Sequence, residues 1–211
     1  QYERAIKFHE QALQISRSIG DQMGEGSHLG NLGSTYDRLG QYEEAIKHHG
    51  QALQISRDIG DRQGEGSCKG NLGSAYISRG QYEMAIKLLQ QALQISREIG
   101  DRRGEGNHLK NLGHAYDSLG HYQEAIDHGV QARVVFDDLW LALGTDERRI
   151  TFAGDAYSAL SRQLQISHVM LAQPAAALEF AERGRARALE LLLTQQRSKC
   201  SSLDSGNPLP A

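Results

Sequence analysis

Gln11-Ala12-Leu13-Gln14-Ile15-Ser16-Arg17 returns unchanged as residues 51–57 and again as residues 91–97. The interval is 40 residues and it extends well beyond that run. Residues 1–40 match residues 41–80 at 28 of 40 positions, and residues 41–80 match residues 81–120 at 27 of 40. Ordinary residue usage would leave about two or three identities by chance, so the chain is internally duplicated. A period in the range of roughly 20–50 residues marks an array in which each unit packs on its neighbours.

Outward from that run, each unit reads as two helices. The first is expected from about Asp21 to Leu39, closing at Gly40, and the second from about Tyr42 to Ile59, closing at Gly60. Asp21, Asp61 and Asp101 stand where a helix wants a side-chain acceptor for its first free N–H groups. The closing glycines suit the left-handed residue that ends a helix. Leu29, Leu32, Gly33 and Tyr36 share one side of the first helix, as do Ala45, Ile46 and Leu53 in the second, with Ala52 keeping the pair close. Gly33, Gly73 and Gly113 each cost about 1 kcal/mol against alanine in a helix interior; close helix approach is the expected reason. The three prolines all lie at or beyond Pro174, so nothing upstream forbids helix. The expected class is all-α.

The set Leu32-Gly33-x-x-Tyr36, Gly40-x-Tyr42-x-x-Ala45 and Ala52 resembles the tetratricopeptide repeat signature, and it recurs 40 and 80 residues later. The resemblance implies a right-handed superhelix of antiparallel helix pairs, an α-solenoid. It departs from the family pattern in three respects. The usual early Trp is Leu29, Lys69 or Leu109, the Phe slot of the second helix holds His49, Leu89 or Gly129, and the period is 40. Residues 1–20 are expected to be the second helix of a truncated first repeat, and residues 21–140 three 40-residue units. Residues 141–195 are expected to form a degenerate C-terminal helix pair, and residues 196–211 a disordered tail. Ala177-Leu178-Glu179 through Ala186-Arg187-Ala188 is similar to the segment that ends the repeats in proteins with a C-terminal CHAT domain, among them the tetratricopeptide repeat protein 28 family. Gly30-Asn31-Leu32-Gly33 and Gly70-Asn71-Leu72-Gly73 fit that family and equally the G-protein signalling modulators. These resemblances imply a cytoplasmic adaptor linked to cytoskeleton and cell division, a spindle-orientation adaptor, or the regulatory repeats of a caspase-like protease.

Lys and Arg number 23 against 26 Asp and Glu, a net charge of −3, so neither disorder nor general nucleic-acid binding is indicated. Cys68 and Cys200 are too few and too far apart for a disulfide framework or a cysteine metal site. No apolar run approaches the roughly 18–20 residues of a membrane span. Phosphate-loop, zinc-protease and nucleophile-elbow motifs are missing, and Gly64-Glu65-Gly66 recurs in each unit, as a cofactor loop would not. No cofactor, metal or catalytic residue is expected. The pairs His48 with His49 and His121 with His128 lack acidic or cysteine co-ligands, and Arg183, Arg185 and Arg187 read as a solvated face with Glu179 and Glu190 in helical reach.

The informative stripe is polar and uncharged. Ser27, Asn31, Ser34 and Arg38 fall on the side of the first helix opposite Leu29, Leu32 and Tyr36; the next units place Ser67, Asn71 and Ser74, then Asn107, Lys110, Asn111 and His114 there. Ser and Asn cost about 0.5 kcal/mol each against better helix formers, which a merely solvated face would avoid. Short amides and hydroxyls can hydrogen-bond an extended backbone, and the family resemblance places this side in the concave groove. The alternative is that Asn31, Asn71 and Asn111 bond to a neighbouring helix. The expected function is a monomeric protein–protein interaction scaffold that takes an extended or helical partner segment.

Overall fold

The computed structural model describes residues 2–142 together with residues 164, 167, 169–173, 175–176, 178–179 and 182. The other positions expected in a C-terminal helix pair and tail, most of the CHAT-like segment and the three arginines 183, 185 and 187 lie outside the described residues. Seven helices follow one another: α1 (Tyr2–Ile19), α2 (Gln22–Arg38), α3 (Tyr42–Asp58), α4 (Arg62–Ser78), α5 (Tyr82–Ile99), α6 (Arg102–Ser118) and α7 (Tyr122–Ala142). No strand occurs among the described residues. Each helix packs on the next in the chain; in addition α2 touches α4 and α4 touches α6, so the first helices of successive units form one layer.

The boundaries fall within about a residue of the sequence expectation, because the ends are set by local chemistry. The carboxylates of Asp21, Asp61 and Asp101 accept from the N–H groups of Gly24, Gly64 and Gly104 at 2.9 Å in each case. Gly40 (φ 74°) and Gly60 (φ 72°) are left-handed, a conformation in which any Cβ is strained.

Close approach explains Gly33 and Gly73. A Cβ on Gly33 would stand 2.7 Å from the His49 ring, and one on Gly73 would stand 2.6 Å from Leu89 Cγ. The Gly-Glu-Gly triplet is likewise a packing device: its last glycine takes Ile55 in the first unit, Ile95 in the second and Phe136 in the third. Leu29 and Leu32 of α2 are 1 % exposed, and Leu109 and Leu112 of α6 fully buried; each such leucine contributes about 1.5–3 kcal/mol. A second set of repeated contacts runs along the ridge. Arg17 pairs with Glu25, Arg57 with Glu65 and Arg97 with Glu105, each joining a second helix to the first helix of the next unit.

The apolar residues of α1 divide between two environments: Leu13 is buried (7 %) and Ile6 half-buried, both against α2, while Ile15 is 61 % exposed. The helix faces two directions: Leu13 points at the unit that follows, Ile15 at the side where α3 and α5 each carry their own first helix. Beyond α7 the packing continues. Leu164 is buried against the cluster that contains Trp140, and the Ser167 hydroxyl donates to Asp117 at 2.8 Å.

Candidate functional site

The layer formed by α2, α4 and α6 holds two cavities in sequence. One, of about 220 Å³, lies between α2 and α4, with Ser27, Asn31 and Ser34 on one wall and Ser67 and Asn71 on the other. The next, of about 410 Å³, lies between α4 and α6, with Ser67, Asn71 and Ser74 facing Asn107, Lys110 and Asn111. Nine of the eleven residues singled out in the sequence are thus brought together. Arg38 and His114 are not. Arg38 is the last residue of α2, a turn beyond Ser34, and His114 repeats the place of Ser34 and Ser74 on the downstream wall of α6. Both are exposed.

Hydrogen bonding gives the walls a polarity. Ser27, Ser34 and Ser74 donate their hydroxyl protons back to their own helices, to the carbonyls of Met23, Gly30 and Gly70. What each then offers outward is lone pairs. Asn31 and Asn71 are exposed. Asn111 differs: it is half-buried, and its Nδ2 donates to Ser74 Oγ at 2.9 Å. At that position the bond to a neighbouring helix, weighed in the sequence as the alternative, is formed.

Sequence reasoning missed two contributions. Gly26, Gly30, Gly64, Gly70 and Gly104 line the cavities, so backbone itself forms part of the walls. Met23, Ile55 and Ile59 give the first cavity an apolar lip, whereas Arg103 joins Lys110 in the second. Repetition of the glycines at fixed slots was the available signal.

The site carries little reactive chemistry. Asp61 and Asp101 line the cavities but are engaged as caps. Burial pushes the Cys68 thiol up, which keeps it protonated and unreactive near neutral pH. Burial holds His108 below its ordinary value, and so neutral. Among the described residues no group of three His, Cys, Asp or Glu could hold a metal ion. The histidine pairs weighed earlier pack on other rings or in the core. His48 stacks on Tyr36 at 5.3 Å, His49 is 2 % exposed against Gly33, and His121 and His128 both stack on Tyr116. No helix among the described residues is long and apolar enough to cross a membrane.

No curated protein matches the chain. Among solved structures it is similar to the apo form of RapI, at 18 % identity and TM-score 0.71, covering 88 % of this chain and 48 % of RapI. A Rap protein complexed with Competence and Sporulation Factor is similar at 19 % identity and TM-score 0.72, covering 90 % and 50 %. The chain therefore spans about half the length of these Rap proteins. A kinesin light chain of Podospora anserina with nearly identical TPR-like repeats is matched more evenly, at 21 % identity and TM-score 0.65, covering 90 % of this chain and 88 % of that one. At such identities the likeness is one of fold. The sequence itself adds the rest: residues 1–58 and 67–134 match the tetratricopeptide repeat model, spanning the same stacked pairs seen in the structure, and the chain belongs to the tetratricopeptide repeat family.

Proposed function

We propose that this chain is a protein-interaction scaffold that holds an extended segment of a partner protein along α2, α4 and α6, and acts by binding alone. The tetratricopeptide fold generally mediates protein–protein interaction. The observation that carries the reading is the pair of consecutive cavities whose walls repeat Ser, Asn and bare glycine backbone. Serine oxygens with their protons already spent accept from a peptide N–H, while Asn31 and Asn71 offer a donor and an acceptor each. A neighbour of the same fold, the Rap protein complexed with Competence and Sporulation Factor, is in keeping with a ligand-holding role. Within the family we read the chain as a monomeric part of a cytoplasmic adaptor of the protein 28 kind, on the resemblance of residues 177–188.

The test is selection of binders from a random peptide library on the purified chain, followed by affinity measurement on Asn31→Ala/Asn71→Ala. Each lost peptide bond is worth about 0.5–1.5 kcal/mol, so selected peptides should bind the double variant at least about tenfold more weakly. Its melting temperature should not fall. Peptides that bind both proteins equally would move the site off this groove.

A further inference from the structure

The two cavities stand on near-copies of one frame, yet their apolar and charged linings are opposite. At the first, Met23 is 64 % exposed on the α2 wall, with Ile55 and Ile59 half-buried beside it. The counterparts of these residues do not serve the second. Gln63 takes the place of Met23, Ile95 is buried on Gly66, and Ile99 lies outside the lining. The α6 wall instead adds Arg103 and Lys110, where α4 has Gln63 and Gly70. One acid lines each cavity, Asp61 or Asp101, and each is engaged as a helix cap. Two cations are added only in the second. Arg102 is held by Glu105 and Asp138, whereas the exposed Arg103 makes no ion pair with a described residue.

Hydrogen bonding sharpens the contrast. Ser34 keeps its outward lone pairs, whereas Ser74 spends one on the Asn111 amide. The first cavity is thus the richer in acceptors and apolar surface, the second in donors and positive charge. Resting on the groove proposed above, we infer that a partner segment is read at two points. An apolar side chain enters the α2–α4 cavity, and an Asp or Glu side chain enters the α4–α6 cavity against Arg103 and Lys110. The guanidinium suits a carboxylate because it offers paired N–H donors as well as charge. Spacing follows from the scaffold. Packed helices lie about 8–10 Å apart and an extended chain rises about 3.3 Å per residue, so the two side chains stand about two to four residues apart.

Peptides selected from the random library should carry that pair of side chains at that spacing. Changing the acid to its amide should weaken binding to the chain about three- to tenfold, and should change nothing on Arg103→Gln/Lys110→Gln. Changing the apolar residue to Ser should weaken binding at least about tenfold, a gap that narrows on Met23→Gln. Independently of any variant, raising salt from about 0.05 to about 0.5 M should weaken the acidic peptides and spare their amides. Peptides that weaken on Asn31→Ala/Asn71→Ala but carry no preferred acid would overturn the two-point reading and leave the groove standing. So would an equal loss from amidation on the chain and on the double variant, or an acid preference confined to a free C-terminal carboxylate. Peptides indifferent to the asparagine pair, or a library without binders, would remove the groove and this reading with it.

Discussion

The units α2–α3 and α4–α5 are near copies, yet each buries a titratable side chain in a different slot. The first keeps Leu29 in its first helix and places His49, 2 % exposed, in its second. The second reverses the arrangement: Leu89 is fully buried, and Lys69, 7 % exposed, stands where Leu29 stood. The solutions differ with the chemistry of the group. Burial holds His49 down to about 4, so it sits against Gly33 as a neutral ring. A buried ammonium needs a partner, and Lys69 has Glu65 at 3.0 Å. Glu65 is also bound by Arg57 and Arg62, and Arg62 in turn by Glu98 of α5. Burial pushes the Glu65 carboxyl upward, but hydrogen bonds from Lys69, Arg62 and Arg57 outweigh it and bring it to about 2. One unit tolerates a polar core residue by neutrality, the other by a network.

The largest effect is expected from breaking the network on one side. Glu65→Ala takes from the buried Lys69 its carboxylate partner, while Glu98 remains on Arg62, and should cost about 3–5 kcal/mol in urea unfolding. Lys69→Leu, which gives the second unit the residue of the first, should be neutral or stabilising by about 1–2 kcal/mol, since Glu65 keeps Arg57 and Arg62. Glu65→Ala combined with Lys69→Leu should then be milder than Glu65→Ala alone. Equal losses in the single and double variants would mean that Lys69 does not depend on Glu65.

The next effect separates the units by pH. His49 has its folded value below the ordinary 6.5, so the unfolded chain binds the proton first as pH falls. Its stabilising contribution is complete above about 6.5 and is lost as pH drops toward about 4. Over that window the loss is about 3 kcal/mol. Glu65 titrates lower: its contribution is complete above 4.5 and is lost toward about 2. His49→Leu, the residue of the other unit, should therefore flatten stability between pH 6.5 and 4. It leaves the slope due to His48, His108 and His128, which burial also lowers. An unchanged slope would show that His49 is not held neutral by its burial.

How much of this was legible follows from the range of the interactions. Helix ends were readable because Asp21 and Gly40 act on backbone groups within a few residues. The mid-helix glycines announced a close approach, though not that His49 and Leu89 would be the approaching groups. Lys69 looks like a departure from a family pattern; the triple pairing of its partner Glu65 comes from α3 meeting α4. In the polar stripe, periodicity gathers on one face the residues from Ser27 to Asn111 that line the two cavities. Arg38 and His114 share the stripe but line neither cavity, because periodicity gives a face and says nothing of where along the helix the neighbouring wall ends.

The smallest effect concerns the junction between the two units and the one after it. Asn71 and Asn111 occupy the same slot of α4 and α6, yet Asn71 is exposed while Asn111 donates to Ser74 of the preceding unit. Replacing an exposed helical Asn by Ala removes little and gains about 0.5 kcal/mol of helix propensity, so Asn71→Ala should raise the melting temperature slightly. Asn111→Ala gains the same propensity but loses a half-buried hydrogen bond worth about 0.5–1.5 kcal/mol, so it should be neutral or lower the melting temperature. The sign of the difference, read by calorimetry on the two single variants, decides whether the amides are equivalent. If both raise the melting temperature alike, the Asn111–Ser74 bond contributes nothing and all three asparagines face the groove on equal terms. If Asn111→Ala alone is destabilising, the amide that closes the α4–α6 junction belongs to the fold, and Asn31 and Asn71 are the pair left to meet a partner.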